Sequence, residues 1–137
     1  MKTLFKFTAV FLLLTSCQVI KITTYDSYSH QKAIELKART NTLALLSTNA
    51  YSNHQEEANI LISELNQHLN YEKNKPNNDI TVAMWSRITG KEQTLIPQFF
   101  TLWKQNDKLN SSFAEESAKQ FDEAFDQIIT LETSKQK

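Results

Sequence analysis

The side chains with chemical potential in this chain of 137 residues are three histidines, one cysteine and a scatter of carboxylates. His54 and His68 stand fourteen residues apart. On one helix their backbones would be about 21 Å apart, too far to ligate one metal ion. A hairpin turning near Asn49 would bring His30 level with His68. Glu64 and Glu72 flank His68 at four-residue spacing and share its helix face. His30, His68, Glu64 and Glu72 are therefore the weak metal candidates, since zinc accepts imidazole and carboxylate alike. The alternative is a partly exposed face with ordinary ion pairs. Glu56-Glu57, Glu115-Glu116 and the set Asp122, Glu123, Asp126 could be acid/base pairs only with shifted pKa values in a cleft. They fall opposite the apolar positions of their helices, where charge is normally solvated. No nucleophile elbow, triad spacing or Glu-x-x-His pair occurs. The lone glycine, Gly90, excludes a glycine-rich phosphate loop. The chain is expected not to be an enzyme and to carry no cofactor. Trp85, Phe99, Phe100 and Trp103 gather in the C-terminal half. They suggest an apolar ligand pocket or a partner surface, against plain core packing.

These groups must be placed by helices. One glycine and two prolines leave too few turn residues for a protein of many short strands. Ala33, Leu36, Thr40, Leu43, Ser47, Ala50, His54, Ala58, Leu61, Leu65 and His68 recur three or four residues apart, a helical stripe. A single helix over residues 27–73 would be about 70 Å long, more than the remaining chain can cover. The polar clusters Ser47-Thr48-Asn49 and Ser52-Asn53 offer a break, with Ser52 or Asn53 as the cap of a second helix. One helix and two both fit the pattern; two fit better.

Lys75-Pro76-Asn77-Asn78-Asp79 reads as a loop. A short helix comes next with Val82, Trp85 and Ile88, capped by Asp79 or Thr81 and ended by Gly90. Another, Thr94 to Gln105, is apolar around a wide arc, with Pro97 tolerated in its first turn. The last begins near Asn110 to Ser112, where Ser112 with Glu115 fits a capping box and Asn110 is the alternative. Its stripe is Phe113, Ser117, Phe121, Ala124, Phe125, Ile128 and Leu131. The expected fold is all-α, an antiparallel bundle of four or five helices. Its core joins Leu36, Leu43, Leu61, Leu65, Trp85, Phe99, Trp103, Phe121, Phe125 and Ile128.

The N-terminus is built differently. Lys2 and Lys6 precede an apolar stretch from Phe7 to Leu14, then Thr15, Ser16 and Cys17. A charged start, a short apolar core and a small-residue exit make a secretory signal. The core is too short to span a bilayer, which takes about 20 apolar residues. The run Leu14-Thr15-Ser16-Cys17 resembles the lipobox of bacterial lipoproteins. That resemblance implies a diacylglyceryl group on the Cys17 thiol, cleavage before Cys17 and acylation of its new amino group. Residues 1–16 would be the signal peptide, 17–26 a lipidated tether and 27–137 the bundle. Gln18 stands where an aspartate holds many Gram-negative lipoproteins at the inner membrane. By that analogy the outer membrane, facing the periplasm, is expected.

Tyr51 and His54, Asn78, Thr81, Met84 and Trp85, Phe100 with Trp103-Lys104, and the stretch Ala124 to Ile129 with Leu131-Glu132 add a further likeness. Together they resemble small, uncharacterised helical lipoproteins of Gram-negative bacteria and imply no catalytic residue. Cys17 is the only cysteine, so a lipidated chain has no thiol left for a disulfide. Basic and acidic residues balance at 15 each, and without Lys2 and Lys6 the net charge is −2. No broad basic surface is available for nucleic acid. The expected partners are the membrane, through lipidated Cys17, and an envelope protein. The alternative is a small helical carrier of an apolar or lipid-like ligand.

Overall fold

The computed structural model describes residues 21–136, so Cys17, the leader 1–16 and the first part of the expected tether lie outside the described residues. Five helices run in order: α1 Ser27–Leu46, α2 Gln55–Lys73, α3 Asp79–Ile88, α4 Leu95–Asn106 and α5 Ser111–Ser134, with a single 3-10 turn at Tyr51–Asn53. The described residues contain no strand. The all-α bundle is as the stripes require.

Helix α1 starts because Asp26 caps it, accepting the Tyr28 backbone N–H at 3.0 Å. It buries Ser29, Ala33, Leu36, Thr40, Leu43 and Ala44, one face at three- and four-residue spacing. It stops at Ser47, whose hydroxyl bonds back to the Ala44 carbonyl at 2.6 Å. The break anticipated at the Ser/Asn clusters is therefore present, and residues 27–73 form two helices. Ser52 and Asn53 do not cap the second one. The 3-10 turn absorbs them, and His54 becomes the flanking residue of α2.

Helix α1 runs antiparallel to α2, since Ser29 meets Glu72 and Arg39 meets Glu64. It runs antiparallel to α5 as well, since His30 reaches Thr133 while Asn41 reaches Asp122. Helices α3 and α4 share the remaining leg. Gly90 makes the bend between them with φ +101°, and a Cβ there would lie 2.8 Å from Leu69 Cδ2. The backbone angle requires glycine, whereas the Leu69 side-chain end could shift aside. Pro97 is the third residue of α4, within its first turn.

The cap of α3 differs from expectation, and at α5 the second of the two expected caps is used. Neither Asp79 nor Thr81 caps α3: Asn78 precedes it, and its amide is committed to Glu72. Asn110 rather than Ser112 caps α5, accepting the Phe113 N–H at 2.8 Å, so no Ser112–Glu115 box forms.

All ten expected core residues are buried, joined by Ala44, Tyr51, Leu69, Ile96 and Phe100 among others. The aromatic rings meet edge-on, Trp85 with Phe125 at 5.8 Å and Phe99 with Phe121 at 5.3 Å, the geometry that their quadrupoles favour.

Candidate functional site

The starts of α1 and α3 and the ends of α2 and α5 meet at one end of the bundle. Here α2 and α5 each end on the same pair, a glutamate in the last turn and a lysine just past it, Glu72-x-x-Lys75 and Glu132-x-x-Lys135. Each glutamate continues its helix's apolar stripe by one more four-residue step, past His68 and past Ile128. Both are consequently pulled inward, with 0 % of Glu72 and 1 % of Glu132 exposed. A buried carboxylate must be paired and hydrogen-bonded; Glu72 is so through both oxygens, and Glu132 through Oε1, while its Oε2 has no partner. Lys75 Nζ lies 3.0 Å from Glu72 Oε1, and Asn78 Nδ2 donates to Glu72 Oε2 at 2.6 Å. The Ser29 hydroxyl lies between Glu72 and Asp26, and Lys75 donates to its oxygen. Lys135 pairs with Glu132 and also donates to Thr81 Oγ1 at 2.9 Å, while Thr81 Oγ1 reaches Glu132 Oε1 at 3.3 Å. Asn78 and Thr81 thus bring two carboxylates to the first turn of α3, whose free N–H groups favour negative charge.

Asp26 ties the incoming chain to the same cluster. It accepts from the Tyr71 hydroxyl at 2.7 Å and pairs with Lys75 at 2.9 Å. Three residues earlier, the Thr23 N–H donates to the Asn77 carbonyl at 2.9 Å. Residues 21–26 therefore lie against the α2–α3 connection, without regular secondary structure.

This packing sets the electrostatics. Burial alone would raise the carboxyl groups of Asp26 and Glu72. The donors Tyr71 and Lys75 on Asp26, and Ser29, Lys75 and Asn78 on Glu72, outweigh it and hold both below their ordinary range. Burial would lower the Lys75 ammonium, but Asp26 and Glu72 together raise it.

His68 is 2 % exposed, and burial drives its imidazole down to about 4 against the pull of Glu72. It is packed among the Trp85, Tyr71 and Tyr28 rings at 4.7, 5.9 and 6.0 Å. Its Nε2 lies 3.3 Å from Glu72 Oε1 without the alignment that a hydrogen bond needs.

The four metal candidates separate. His68 and Glu72 are adjacent, but Glu64 turns to Lys32 and Arg39 on α1. His30 reaches level with them, as a hairpin demands, yet points to Tyr25 and Thr133. Among the described residues no group of three or more His, Cys, Asp or Glu is placed to hold a metal ion. The expectation that His68 and Glu72 sit on a partly exposed face is corrected: both are interior. Asp122 and Asp126 pair with Lys37 at the surface.

The aromatic candidates are corrected too. Trp85, Phe99, Phe100 and Trp103 are all buried in the core. Phe99 alone floors an open groove beside Phe113 and Phe121. Trp103 fastens the opposite end of the bundle. Its Nε1 donates to the Asn49 and Asp107 carbonyls at 3.0 and 3.1 Å, and its ring meets Tyr51 edge-on at 5.3 Å. Backbone bonds complete that end: Tyr51 N to Asp107 O at 2.8 Å and Leu109 N to Ser47 O at 2.8 Å. Asp107, at φ +62°, makes the sharp turn that exposes its carbonyl to both donors.

An open apolar groove that the sequence did not announce lies between α1 and α2, toward the Trp103 end. It holds about 380 Å³ and is lined by Ala38, Thr42, Leu43, Leu46 and Ile60, with Arg39 and Glu57 at the rim. Its residues belong to two helices, so no local spacing marks it. Compared with known proteins, the chain matches no family model, no curated protein and no solved structure.

Proposed function

We propose that this chain is a lipid-anchored module of a bacterial cell envelope, held to its membrane through Cys17, whose helical bundle engages another envelope protein. The observation that carries this is the run Leu14-Thr15-Ser16-Cys17 behind a charged start and a short apolar stretch. One acyl chain anchors only marginally, whereas two or three on one cysteine hold durably. Among the described residues no helix is long and apolar enough to cross a membrane, so within them the anchor has no substitute of that kind. Gln18 favours the outer membrane, with the bundle in the periplasm. No catalytic group and no nucleic-acid surface are assigned.

The test is Cys17→Ala in cells fed labelled palmitate. The parent chain should carry label and fractionate with membranes. The variant should carry none, and should be released or kept as uncleaved precursor. Label persisting in the variant, or missing from the parent, contradicts the proposal.

The α1–α2 groove favours a second reading, a carrier of a small apolar ligand, because its volume lies within the range of small-molecule sites. Native mass spectrometry of the purified chain should then find a bound lipid-like mass that Ile60→Glu removes. A chain that stays ligand-free when offered fatty acids would eliminate the carrier.

A further inference from the structure

Four of the eight large apolar side chains exposed among the described residues gather at the charged end: Ile22 (49 %), Tyr28 (52 %), Tyr71 (41 %) and Ile80 (44 %). They come from four separate segments: the incoming chain, the first turn of α1, the last turn of α2 and the first turn of α3. The Tyr28 and Tyr71 rings meet edge-on at 5.0 Å. Ile22 and Ile80 line one shallow recess with Lys21 and Asn77, where the Thr23–Asn77 bond fixes the chain. Such an apolar set normally opposes solvent exposure, and tyrosine rings suit a layer that is apolar on one side and wet on the other.

The charges around this set are mostly cancelled internally. Asp26 and Glu72 share Lys75, and Glu132 pairs with Lys135. Among the described residues, Lys21, Lys73 and Asp79 are exposed charges beside it in the sequence. The chain itself says what covers this end. Cys17 is four residues from Lys21, a reach of at most about 14 Å. Thr23 and Asp26 clamp the chain beyond Lys21 onto the bundle, so no long slack separates the cysteine from this surface.

We propose that the charged end of the bundle lies on the bilayer, with Ile22, Tyr28, Tyr71 and Ile80 set into its interfacial layer. The inference rests on the lipid anchor proposed at Cys17. It adds that the bundle stands on the membrane in one orientation. The α1–α2 groove and the Trp103 end then face away. Helix α1, of 20 residues, places the Trp103 end about 30 Å out, with the groove along its outer half.

The test uses the full mature lipidated protein in phosphatidylethanolamine/phosphatidylglycerol vesicles. The native cysteine is blocked by its lipid, so single variants Ile80→Cys, Tyr28→Cys, Leu45→Cys and Ile60→Cys accept an environment-sensitive dye. Circular dichroism checks that each stays helical. Dye at 80 and 28 should shift to the blue and be quenched by headgroup-region spin-labelled lipid at least threefold more than dye at 45 and 60. Ile22→Glu should reduce the quenching at 80. Vesicle-bound protein with equal quenching at all four positions, or more at 45 and 60, would overturn the orientation and leave the anchor standing. Protein that fails to float with vesicles while Cys17 is intact would overturn both.

Discussion

The two ends of the bundle are closed by different physics. At one end the buried Glu72 and Glu132 and the part-exposed Asp26 pair with Lys75 and Lys135, and Asn78 and Thr81 tie in the start of α3. At the other, backbone carbonyls of Asn49 and Asp107 are gathered by one indole N–H, and Tyr51 and Leu109 add main-chain bonds. Breaking one partner of a buried ion pair costs about 3–5 kcal/mol. A neutral hydrogen bond contributes about 1 kcal/mol net. One end should therefore respond to acid and to charge substitution, and the other should not. That contrast matters for the proposed anchoring, because the acid-sensitive end is the one that carries the chain toward Cys17.

The largest expected effect is at Glu72. Replacing it by alanine leaves Lys75 and Asn78 without their shared partner and should lower unfolding stability by about 3–5 kcal/mol in urea titration. A loss under about 1 kcal/mol, the range of a surface pair, would show that the cluster is not holding α1, α2 and α3 together. Acid comes next. His68 titrates lower in the folded chain than in the unfolded, so the unfolded state takes up its proton first and stability drops as pH falls from about 6.5 toward about 4. Asp26 and Glu72, also held low, contribute stability above the ordinary carboxylate range that is lost on further acidification. Melting temperature against pH should slope accordingly, and His68→Gln should flatten the stretch between about 6.5 and about 4. A slope unchanged by that substitution would place the titration elsewhere.

At the indole end, Trp103→Phe keeps most of the ring but removes the donor shared by two carbonyls. It should cost about 1 kcal/mol with no change in the pH profile, since the Asp107 carbonyl keeps the Tyr51 N–H and only the Asn49 carbonyl loses its donor. A changed pH profile would mean that the two ends are coupled. The smallest effect belongs to the surface. Lys37→Ala, which loses its pairs with Asp122 and Asp126, should shift stability by less than about 1 kcal/mol and less still in high salt.

Most of the fold is legible because it is written in local periodicity. The stripe from Ala33 to Leu65 and the one from Phe113 to Ile128 define helices, and the Ser47–Asn53 polar run marks the break. The caps are less legible, since Asn78 and Thr81 spend their side chains on Glu72 and Glu132 instead of on their own helix. No local rule reports that. The burial of Glu72 and Glu132 is hidden too, because a charged residue near a helix end is usually solvated. The usable signal is phase: each lies one four-residue step beyond the last buried residue of its stripe and three residues before a lysine. Trp103, Phe99, Phe100 and Trp85 look like a surface candidate in composition but are core, and only their three-dimensional neighbours tell the two apart. The α1–α2 groove needs two helices side by side before it exists at all.

The most direct measurement is the intact mass of the protein extracted from membranes of cells that express it natively. The account predicts a polypeptide that begins at Cys17 and carries the added mass of a diacylglyceryl group and an amide-linked acyl chain. An unmodified polypeptide that still begins at Met1 would contradict it.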